Sequence, residues 1–364
     1  MKTHSPRCGL CGSEATESIS FDSTLFPTES NNPAFHSFDN YVCLRCGVVF
    51  MHPQPSEQDL VAYYNSAYRR SSYAQKIGDR WVDTPVNFEA SIQSFQRFRN
   101  FYDTVERASR SYPDVVPQAG DTIVDFGGYQ GAFLYAAAQV WGIRGIVLDY
   151  NRAGIEFAKS AFGFTDSIAV TDLTRQSVPG RARFATAVHS LEHFRNPREF
   201  LVHVRDDVLT PGGYLYLEVP NALGSPLSNP THFFMYTQDA LTYLLHAAGF
   251  EVIDLSFTGF PREHLLVGNP IENIVCLARP TTHPTQIHPT TSRAHRAADI
   301  RKNYRTLSRR ALRMTLRSAL QANWTLAVRL LLVGIVDYLP ATVAKKVRSA
   351  IISAPRLLRR ENRN

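Results

Sequence analysis

Between residues 121 and 280 the chain alternates short apolar runs with amphipathic stretches. The runs DTIVDF, RGIVLD, SIAVTD, FATAVHSL and GGYLYLEVP are typical of buried strands. The stretches AFLYAAAQVW and GIEFAKSAF are typical of helices, and a further helix is predicted near 237–248, before the strands EVIDLSF and NIVCLAR. Strands that alternate with helices predict an α/β fold, with a parallel sheet and helices on both faces.

The pattern before residue 121 is different. Residues 1–50 are rich in turns and punctuated by cysteines. Ser56 is a predicted helix N-cap, because Asp59 follows three residues later and a helical stretch continues from there. A second helix is predicted over 86–111, where aromatic and aliphatic residues recur every three to four positions.

These changes of pattern divide the chain into five segments. We expect a small cysteine-containing module at 1–55, a helical connector or substrate lid at 56–115 and the α/β domain at 116–280. A linker rich in Pro, Thr and His follows at 281–292, and a basic helical tail at 293–364.

Charge separates the tail from the rest of the chain. Residues 281–364 contain 17 Lys and Arg but 3 Asp and Glu, whereas residues 1–280 contain 22 and 29, so the net charge of +7 comes from the tail. The mildly acidic body gives no indication of a nucleic-acid-binding surface. A nucleic-acid partner is therefore not expected, and the sequence leaves the oligomeric state open.

The N-terminus, MKTHSPRCGLCG, lacks the apolar core of a signal peptide and predicts a cytoplasmic protein. The apolar run at 324–340 in the tail contains Arg329 and Asp337, and two central charges oppose a transmembrane span. One hypothesis for the tail is a peripheral contact with the inner face of an anionic membrane. The other is a helical appendage that packs on its own domain or on a second subunit.

Four of the five cysteines form two Cys-x-x-Cys pairs, Cys8 with Cys11 and Cys43 with Cys46, which are separated by 31 residues. Each pair places two thiolates on one side of a tight turn, and two pairs complete a tetrahedral site for a structural Zn²⁺. A zinc ribbon is therefore predicted at the N-terminus. The alternatives are thiols that pack without metal or form disulfides. Cys276 lies in an apolar strand and is expected to be a core residue.

A glycine-rich turn, DFGGYQG, lies between the first strand of the α/β region and its first helix. It begins at Asp125, and its glycines, Gly127, Gly128 and Gly131, permit positive φ and close approach of the backbone to a ligand. The helix start offers free N–H groups to an anion. Asp149 ends the next strand, 22 residues after Gly127, where an acidic side chain accepts both ribose hydroxyls of a nucleotide.

The turn does not have the dinucleotide pattern G-x-G-x-x-G, because Tyr129 and Ala132 stand where glycines are required, and this disfavours NAD. Asp172, at the end of the third strand, is a candidate for contact with an adenine amino group. The alternatives are a tight strand-to-helix connection that binds nothing, and for Asp172 a solvated loop carboxylate.

Candidate bases follow the fourth and fifth strands, because open α/β sheets bind ligands at the carboxyl ends of their strands. Glu192 and His193 are adjacent, and a Glu beside a His can orient the ring and raise its basicity. His232, in the loop after the fifth strand, is a second base candidate. The structural alternatives are that Glu192 caps the next helix, that His193 only packs, and that His232 is an ordinary loop residue.

Two further positions are candidates for substrate contact. Asn221, after the fifth strand, is expected to line the pocket, the alternative being that it shapes the turn. Tyr63, Tyr64 and Tyr68 are candidates for a substrate lid; two of the three are expected to be core residues, and Tyr68 is the predicted substrate contact.

Together these stretches resemble class I S-adenosylmethionine-dependent methyltransferases. More narrowly, they resemble bacterial enzymes that carry an N-terminal zinc-binding segment and act on sugars or natural products. The likeness extends over residues 8–280 and is carried, in order, by CGLCG, YVCLRCGVVFMHPQPSEQDLVAYYNSAY, IVDFGGYQG, HSLEHFRNPREFL, LTPGGYLYLEVPN and HAAGFEV.

The resemblance implies a Rossmann-like sheet of seven strands, mostly parallel with the last strand antiparallel. It also implies S-adenosyl-L-methionine as the cofactor. By the same resemblance Asp125, Gly127 and Gly131 would surround the methionine part of this cofactor, and Asp149 would hold its ribose.

The chain departs from the family pattern at two positions. Tyr129 replaces the middle glycine of Asp-x-Gly-x-Gly-x-Gly, and Ser190 replaces a Tyr that sugar C-methyltransferases carry two residues before the Glu. Ser190 favours O-methylation of a sugar or glycan hydroxyl over the alternative, C-methylation of a keto-deoxysugar nucleotide. A third hypothesis, which Tyr129 favours, is a zinc-ribbon binding or scaffold protein that has lost catalysis.

Overall fold

A computed structural model describes residues 6–19, 35, 38–72, 74–77, 80–83, 88–224, 231–259, 272–282, 298–300 and 302, with the backbone alone described within 65–93. The side chain of Tyr68, most of the predicted linker and nearly all of the predicted tail lie outside the described residues. Among the helices described, none has the length and apolar character needed to cross a membrane.

The strands and helices follow one another along the chain in this order: β1 (Thr16–Ile19), β2 (Asp39–Cys43), β3 (Val49–His52), α1 (Glu57–Ser72), β4 (Ala74–Ile77), β5 (Arg80–Asp83), α2 (Phe88–Ser109), β6 (Thr122–Phe126), α3 (Ala132–Trp141), β7 (Arg144–Asp149), α4 (Arg152–Phe162), β8 (Ile168–Ala169), β9 (Ala182–Val188), α5 (Pro197–His203), β10 (Leu209–Pro220), β11 (Phe234–Met235), α6 (Gln238–Ala247), β12 (Phe250–Thr258) and β13 (Asn273–Pro280). Short 3-10 helices occur at Pro113–Val115 and Leu191–His193, and a π-helical turn at Val204–Val208.

A seven-stranded sheet with the order β12-β13-β10-β9-β6-β7-β8 forms the centre of the structure. Strands β10, β9, β6, β7 and β8 pair in parallel, whereas β13 runs antiparallel to both of its neighbours, β10 and β12. The predicted mostly parallel sheet with an antiparallel last strand is therefore confirmed. The carboxyl ends of the parallel strands meet at one edge, which is where ligands bind in such sheets.

Apolar side chains on both faces explain why this sheet forms. All five residues of β6 are buried, as are six of the seven in β9, because a parallel sheet covered on two sides excludes water from both faces. One face packs with residues of α2, α3 and α4, and the other with residues of α5 and α6. The side chains of the N-terminal module join the second of these clusters.

The N-terminal module forms a second, antiparallel sheet with the order β1-β2-β3-β11. Its last strand does not come from the module, because β11 follows β10 in the chain and pairs with β3. The pairing continues at Met51, whose N–H donates to Phe233 O at 3.0 Å. The module predicted at 1–55 is thus completed by a strand from the α/β region.

The structure corrects several local predictions. The connector predicted to be helical contains the β4–β5 hairpin between α1 and α2. The predicted fourth strand extended to Leu191, but β9 ends at Val188, because His189 has a φ of 52° and leaves the extended conformation. The predicted turn LTPGG lies within β10, where the pairing register with β9 shifts between Leu209 and Tyr214.

The predicted start of α1 is confirmed in detail. Ser56 Oγ accepts the N–H of Asp59 at 3.2 Å, and Asp59 Oδ2 in turn accepts the N–H of Ser56 at 2.9 Å. These reciprocal bonds satisfy two N–H groups that the first turn of a helix leaves without partners.

Candidate active site

The turn between β6 and α3 requires glycine at two positions. Gly127 and Gly131 have φ values of 79° and 76°, in the region that favours glycine. A β-carbon at Gly127 would lie 2.7 Å from Ser190 Cβ, and one at Gly131 would lie 2.9 Å from Val147 Cγ2. The positive φ and the lack of space for a β-carbon therefore both explain why glycine is required at these two predicted cofactor positions.

Asp125 lies beneath this turn. Its side chain is 2% exposed, and its Oδ1 accepts a hydrogen bond from Thr186 Oγ1 at 2.7 Å. Burial raises the pKa of Asp125 to about 7, although the Thr186 hydroxyl opposes that shift. A β-carbon at Gly128 would collide with Asp125 Oδ2, so the carboxyl group is packed directly against the turn.

Asp149, at the end of β7, is tied to the same turn. Its Oδ2 accepts the N–H of Tyr129 at 2.8 Å, and its Oδ1 accepts the N–H of Asn151 at 2.7 Å. Burial raises the pKa of Asp149 to about 6, while these two N–H groups act in the opposite direction. Each carboxylate oxygen can accept a further hydrogen bond, so the side chain keeps the capacity to hold ligand hydroxyls.

Tyr129, the residue that departs from the family pattern, adopts a φ of 47°. Its ring lies against the first turn of α4, because a β-carbon built at Gly154 would be 2.9 Å from Tyr129 Cδ2. The backbone of Tyr129 meanwhile keeps its bond to Asp149. The larger side chain is thus accommodated towards α4, and the turn and Asp149 remain joined.

Two predicted contact residues make local hydrogen bonds. Asp172 is exposed, and its Oδ1 accepts the N–H of Thr174 at 2.7 Å. Asn221 is buried, and its Oδ1 accepts the N–H of Leu223 at 3.0 Å. These bonds fit the structural alternatives of a loop carboxylate and a turn-shaping amide, and contact of either residue with a ligand stays a prediction.

The three predicted catalytic side chains lie together. Glu192 is fully buried in the 3-10 helix after β9. Its Oε1 lies 3.9 Å from His193 Nε2 and 4.0 Å from His232 Nε2. The two imidazole rings are 4.8 Å apart between centroids and nearly perpendicular, at 77°. The structure therefore brings both histidines to one carboxylate oxygen.

The Nδ1 nitrogen of His193 is hydrogen-bonded to a backbone carbonyl. Its Nδ1 lies 2.7 Å from Thr231 O and 3.1 Å from the Tyr64 hydroxyl. A carbonyl oxygen accepts but never donates, so this hydrogen bond assigns the proton to Nδ1. The Nε2 atom of the neutral ring then carries a lone pair on the side of Glu192. Burial is the main cause that lowers the pKa of His193 below its ordinary value.

Sequence reasoning missed His189 and Glu218. His189 Nε2 lies 3.2 Å from Glu218 Oε1, and His189 Nδ1 lies 3.5 Å from Glu192 Oε1. Burial and the charge of Arg97 lower the pKa of His189, but the two carboxylates outweigh them and raise it. Asn100 Nδ2 also donates to Glu218, at 3.1 Å. A charged residue within the apolar strand GGYLYLEVP was the signal that could have identified Glu218.

Glu192 is a carboxylate at neutral pH. Burial would raise its pKa, but the interactions with His189, His193 and His232 lower it to about 2. Among the described residues, no donor makes a well-formed hydrogen bond to either carboxylate oxygen. Glu192 is therefore a buried negative charge that faces three imidazoles.

An aromatic side chain of α1 connects this cluster to the residues that follow β7. Tyr64 stacks on Tyr150 with centroids 5.7 Å apart and contacts His193 edge-on at 6.1 Å. Asn151 Nδ2 donates to Tyr64 O at 3.2 Å, and the Tyr150 hydroxyl donates to Glu57. Tyr64 thus lies beside the candidate site, whereas the side chain of Tyr68, the predicted substrate contact, lies outside the described residues.

The four N-terminal cysteines converge, as their spacing predicted. The Sγ atoms of Cys8 and Cys46 are 3.8 Å apart and those of Cys11 and Cys43 are 3.5 Å apart, and all four lie within 4.8 Å of one another. Tetrahedral Zn²⁺ with Zn–S bonds of about 2.3 Å separates neighbouring sulfurs by roughly 3.8 Å. The four thiols are free rather than paired in disulfides, so they fit the ligand set of a zinc ion.

The middle of the chain matches a known family. Residues 93–255 match the family model described as "Methyltransferase domain". No curated protein matches the sequence.

Several solved structures are similar to part of this chain at low sequence identity. The [4+2]-cyclase SpnF is 16% identical, with 64% of this chain and 99% of SpnF covered and a TM-score of 0.45. The 1,6-didemethyltoxoflavin-N1-methyltransferase of Burkholderia thailandensis is 18% identical, with coverage of 58% and 100% and a TM-score of 0.38. An S-adenosylmethionine-dependent methyltransferase from Clostridium acetobutylicum is 10% identical, with coverage of 50% and 92% and a TM-score of 0.39.

All three TM-scores are below 0.5, so the assignment rests on the family model, the order of the seven strands and the glycine turn followed by Asp149. The chain therefore contains a methyltransferase domain at residues 93–255.

Proposed function

We propose that this methyltransferase methylates a hydroxyl group of a small molecule, with a sugar or glycan as the acceptor. The observation that carries the proposal is the convergence of His193 and His232 on Glu192 at the ligand-binding edge of the sheet. Ser190 connects this cluster to the cofactor turn, because its Oγ donates to Phe126 O at 2.6 Å.

The residues of the turn fit the cofactor. S-Adenosylmethionine supplies an electrophilic methyl group on a sulfonium when it is bound. Asp125 and the three turn glycines would surround its methionine part, and Asp149 would accept hydrogen bonds from its ribose. Asp172 is the candidate for its adenine. The second lone pairs of the Asp149 oxygens support this arrangement, because the turn itself uses one on each oxygen.

His193 is the proposed proton acceptor. Its Nδ1 is held by Thr231 O, so its Nε2 lone pair can take the proton of an acceptor hydroxyl. The carboxylate of Glu192 would stabilise the imidazolium that forms, and His232 offers a second imidazole beside it. Ser190, in place of a tyrosine two residues before Glu192, favours an oxygen acceptor over a carbon acceptor.

We also propose that the four clustered cysteines bind a structural Zn²⁺. Four thiolates leave no open coordination position, so the ion would support structure and not chemistry. Its contribution to the candidate site would be indirect. Strand β3 of the module pairs with β11, and β11 begins two residues after His232.

Calorimetric titration with S-adenosylhomocysteine tests the cofactor site. We expect micromolar binding by the zinc-loaded protein and its loss in Asp149→Ala. Asp166→Ala is the matched control, because Asp166 lies on the loop before β8 and forms only a long, half-exposed ion pair to Arg144 at 4.0 Å. Absence of binding by the folded wild-type protein would favour the non-catalytic scaffold hypothesis.

A labelled-methyl screen over sugars and sugar nucleotides tests the acceptor. We expect an O-methyl product, identified by mass spectrometry and NMR. A product with a new carbon–carbon bond would replace the proposal with the C-methyltransferase alternative.

Peripheral membrane contact of the basic tail is a separate proposal, supported by its 17 Lys and Arg. Salt-sensitive flotation with anionic liposomes, lost on truncation after Pro280, is the expected result. Flotation that survives the truncation would contradict it.

A further inference from the structure

We propose that Glu192, His193 and His232 bind a divalent transition-metal cation, to which the acceptor hydroxyl is added as a further ligand. The ion would then act on the acceptor in place of the His193 Nε2 lone pair. Its catalytic role rests on the proposed O-methylation, whereas the binding of the ion does not.

Three ligand atoms of suitable chemistry converge. One oxygen of Glu192 and one nitrogen each of His193 and His232 lie within 4.8 Å of one another. Two imidazoles and one carboxylate suit Mn²⁺, Fe²⁺, Co²⁺ and Zn²⁺, and three protein ligands leave coordination positions for substrate or water. The cysteine cluster differs on both points, because its four ligands are soft thiolates and they leave no coordination position for substrate or water.

The orientation of His193 supports a cation more specifically. With its Nδ1 proton donated to Thr231 O at 2.7 Å, the lone pair of Nε2 faces the lone pairs of Glu192 Oε1 at 3.9 Å. Two electron-pair donors that face each other in a buried site repel unless an electrophile lies between them. A histidine whose distal N–H is held by a backbone carbonyl is also the arrangement found around metal ions.

The ring of His232 is oriented like that of His193, with Nε2 towards Glu192. Its Nδ1 lies 3.3 Å from Met235 Sδ, and its Nε2 lies 4.0 Å from Glu192 Oε1. Both imidazoles therefore direct Nε2 towards the same carboxylate oxygen. The two histidines come from loops after different strands, so their shared orientation does not follow from local sequence.

The burial of Glu192 is a second, independent observation. Its side chain is 0% exposed, and among the described residues neither oxygen accepts a well-formed hydrogen bond. Buried carboxylates are normally paired or coordinate a metal. His189 approaches Oε1 at 3.5 Å, but its other nitrogen is engaged by Glu218 at 3.2 Å. One imidazole is thus shared between two buried carboxylates, and a cation between Glu192, His193 and His232 would compensate the charge of Glu192.

The chemistry of such an ion suits O-methylation. A hydroxyl that binds a divalent cation loses its proton more readily. The O–H bond breaks and the proton passes to a water molecule. The new O–CH₃ bond forms as the CH₃–S bond breaks, and the sulfur keeps that electron pair and becomes a neutral thioether.

Metal binding is measured directly, without methyl transfer. Zinc-loaded full-length protein is titrated with Mn²⁺, followed by electron paramagnetic resonance, and in parallel with Co²⁺, followed by visible absorption. Mn²⁺ prefers oxygen and nitrogen ligands and does not compete for a thiolate site that holds zinc. We expect one site per chain for at least one of the two ions, and about tenfold or greater weakening in Glu192→Gln and in His232→Ala.

His203→Ala is the matched control, because His203 is also partly buried and pairs with a carboxylate, Asp207, but lies on α5. It should bind the ion like the wild type. Zinc content and S-adenosylhomocysteine affinity, measured on every variant, show that each one is folded.

The outcomes separate the two proposals. Absence of Mn²⁺ and Co²⁺ binding by the wild type, or binding that Glu192→Gln and His232→Ala leave unchanged, overturns the metal inference. Full methylation of a hydroxyl by chelator-treated enzyme does so as well, and leaves the proposed function intact. A bound ion in a protein that methylates carbon and not oxygen would overturn the proposed function, while the metal site stands.

Discussion

His193 and His232 pack with their ring centroids 4.8 Å apart, although one follows β9 and the other precedes β11. The contact joins two loops of different origin. The first loop is bonded to the cofactor turn through Ser190, and the second leads into the sheet of the N-terminal module. The residues proposed to activate the acceptor are thus positioned by the α/β domain and by the cysteine module together.

Replacing Glu192 by Gln should abolish most of the methyl transfer while leaving cofactor binding nearly unchanged. The variant keeps the shape of the side chain but removes the charge that faces three imidazoles. We expect kcat to fall by roughly 10²–10⁴-fold. Steady-state kinetics and calorimetry with S-adenosylhomocysteine measure the two effects. Glu199→Gln, an exposed residue paired with Arg175, is the control, and equal activity in both variants would refute the role of Glu192.

Cofactor affinity should weaken as the pH falls through about 6. The folded protein raises the pKa of Asp149 to about 6, so the carboxylate that would hold the ribose is charged above that pH and protonated below it. Calorimetry between roughly pH 5 and pH 8 follows the change. In Asp149→Asn the affinity should be lower, and the step near pH 6 should vanish. A step that persists in this variant would assign the titration to another group.

Asp125→Asn should stabilise the protein more at pH 8 than at pH 5. Burial raises the pKa of Asp125 from 3.8 to about 7, so the folded state binds a proton more tightly than the unfolded state does. The resulting stabilisation is complete below pH 3.8 and is lost as the pH rises through 7. Asn keeps the acceptor for Thr186 and removes the buried charge, so the free energy of unfolding should rise by roughly 4 kcal/mol at pH 8. Urea unfolding at both pH values measures the difference, and a gain that does not change with pH would contradict the assignment.

Cys46→Ser should remove bound zinc and lower the midpoint of thermal unfolding by roughly 5–10 °C. Four Sγ atoms within 4.8 Å of one another form the site, and loss of one thiolate opens it. Elemental analysis and calorimetry measure the two effects. Cys276→Ala is the control, because Cys276 is buried in β13, away from the cysteine cluster, and should leave the zinc content at one per chain. Zinc retained by Cys46→Ser would contradict a four-thiolate site.

Tyr129→Gly, which restores the family residue, should leave S-adenosylhomocysteine affinity within about threefold of the wild type. The reason is that the turn depends on the backbone N–H of residue 129, which donates to Asp149, and glycine tolerates the φ of 47°. Calorimetry checks this result. A large gain in affinity would show instead that the tyrosine ring occupies space that the cofactor needs.

The strands of the large sheet were predictable because their apolar runs are buried on both faces. RGIVLD became β7 with the same bounds, Arg144–Asp149, and AFLYAAAQVW became α3 over Ala132–Trp141. Asp125, Gly127 and Asp149 were predicted as cofactor residues for the same reason, because they stand where such strands end, and their contact with a cofactor stays a prediction. The local sequence therefore indicates both where a buried strand lies and which polar residues stand at its end.

The network behind Glu192 was not predictable, because it depends on pairing between distant strands. Val188 pairs with Glu218 in the β9–β10 register, which places Glu218 beside His189. A histidine with positive φ has no sequence signature, so the end of β9 was placed three residues too late. Strand β11, two residues long, shows no periodicity, and its pairing with β3 was missed for that reason.

That pairing sets a limit on how the molecule can be divided. If the first 55 residues were removed, Phe234 and Met235 would lose the backbone partners that β3 provides, and an unpaired strand edge would replace them. The segment that carries His232 would also lose the hydrogen bond from Met51 to Phe233 O, although Phe233 N–H would still donate to Glu192 O. A polypeptide that begins at the cysteines keeps the partners of β11, whereas one that begins at the first strand of the large sheet does not.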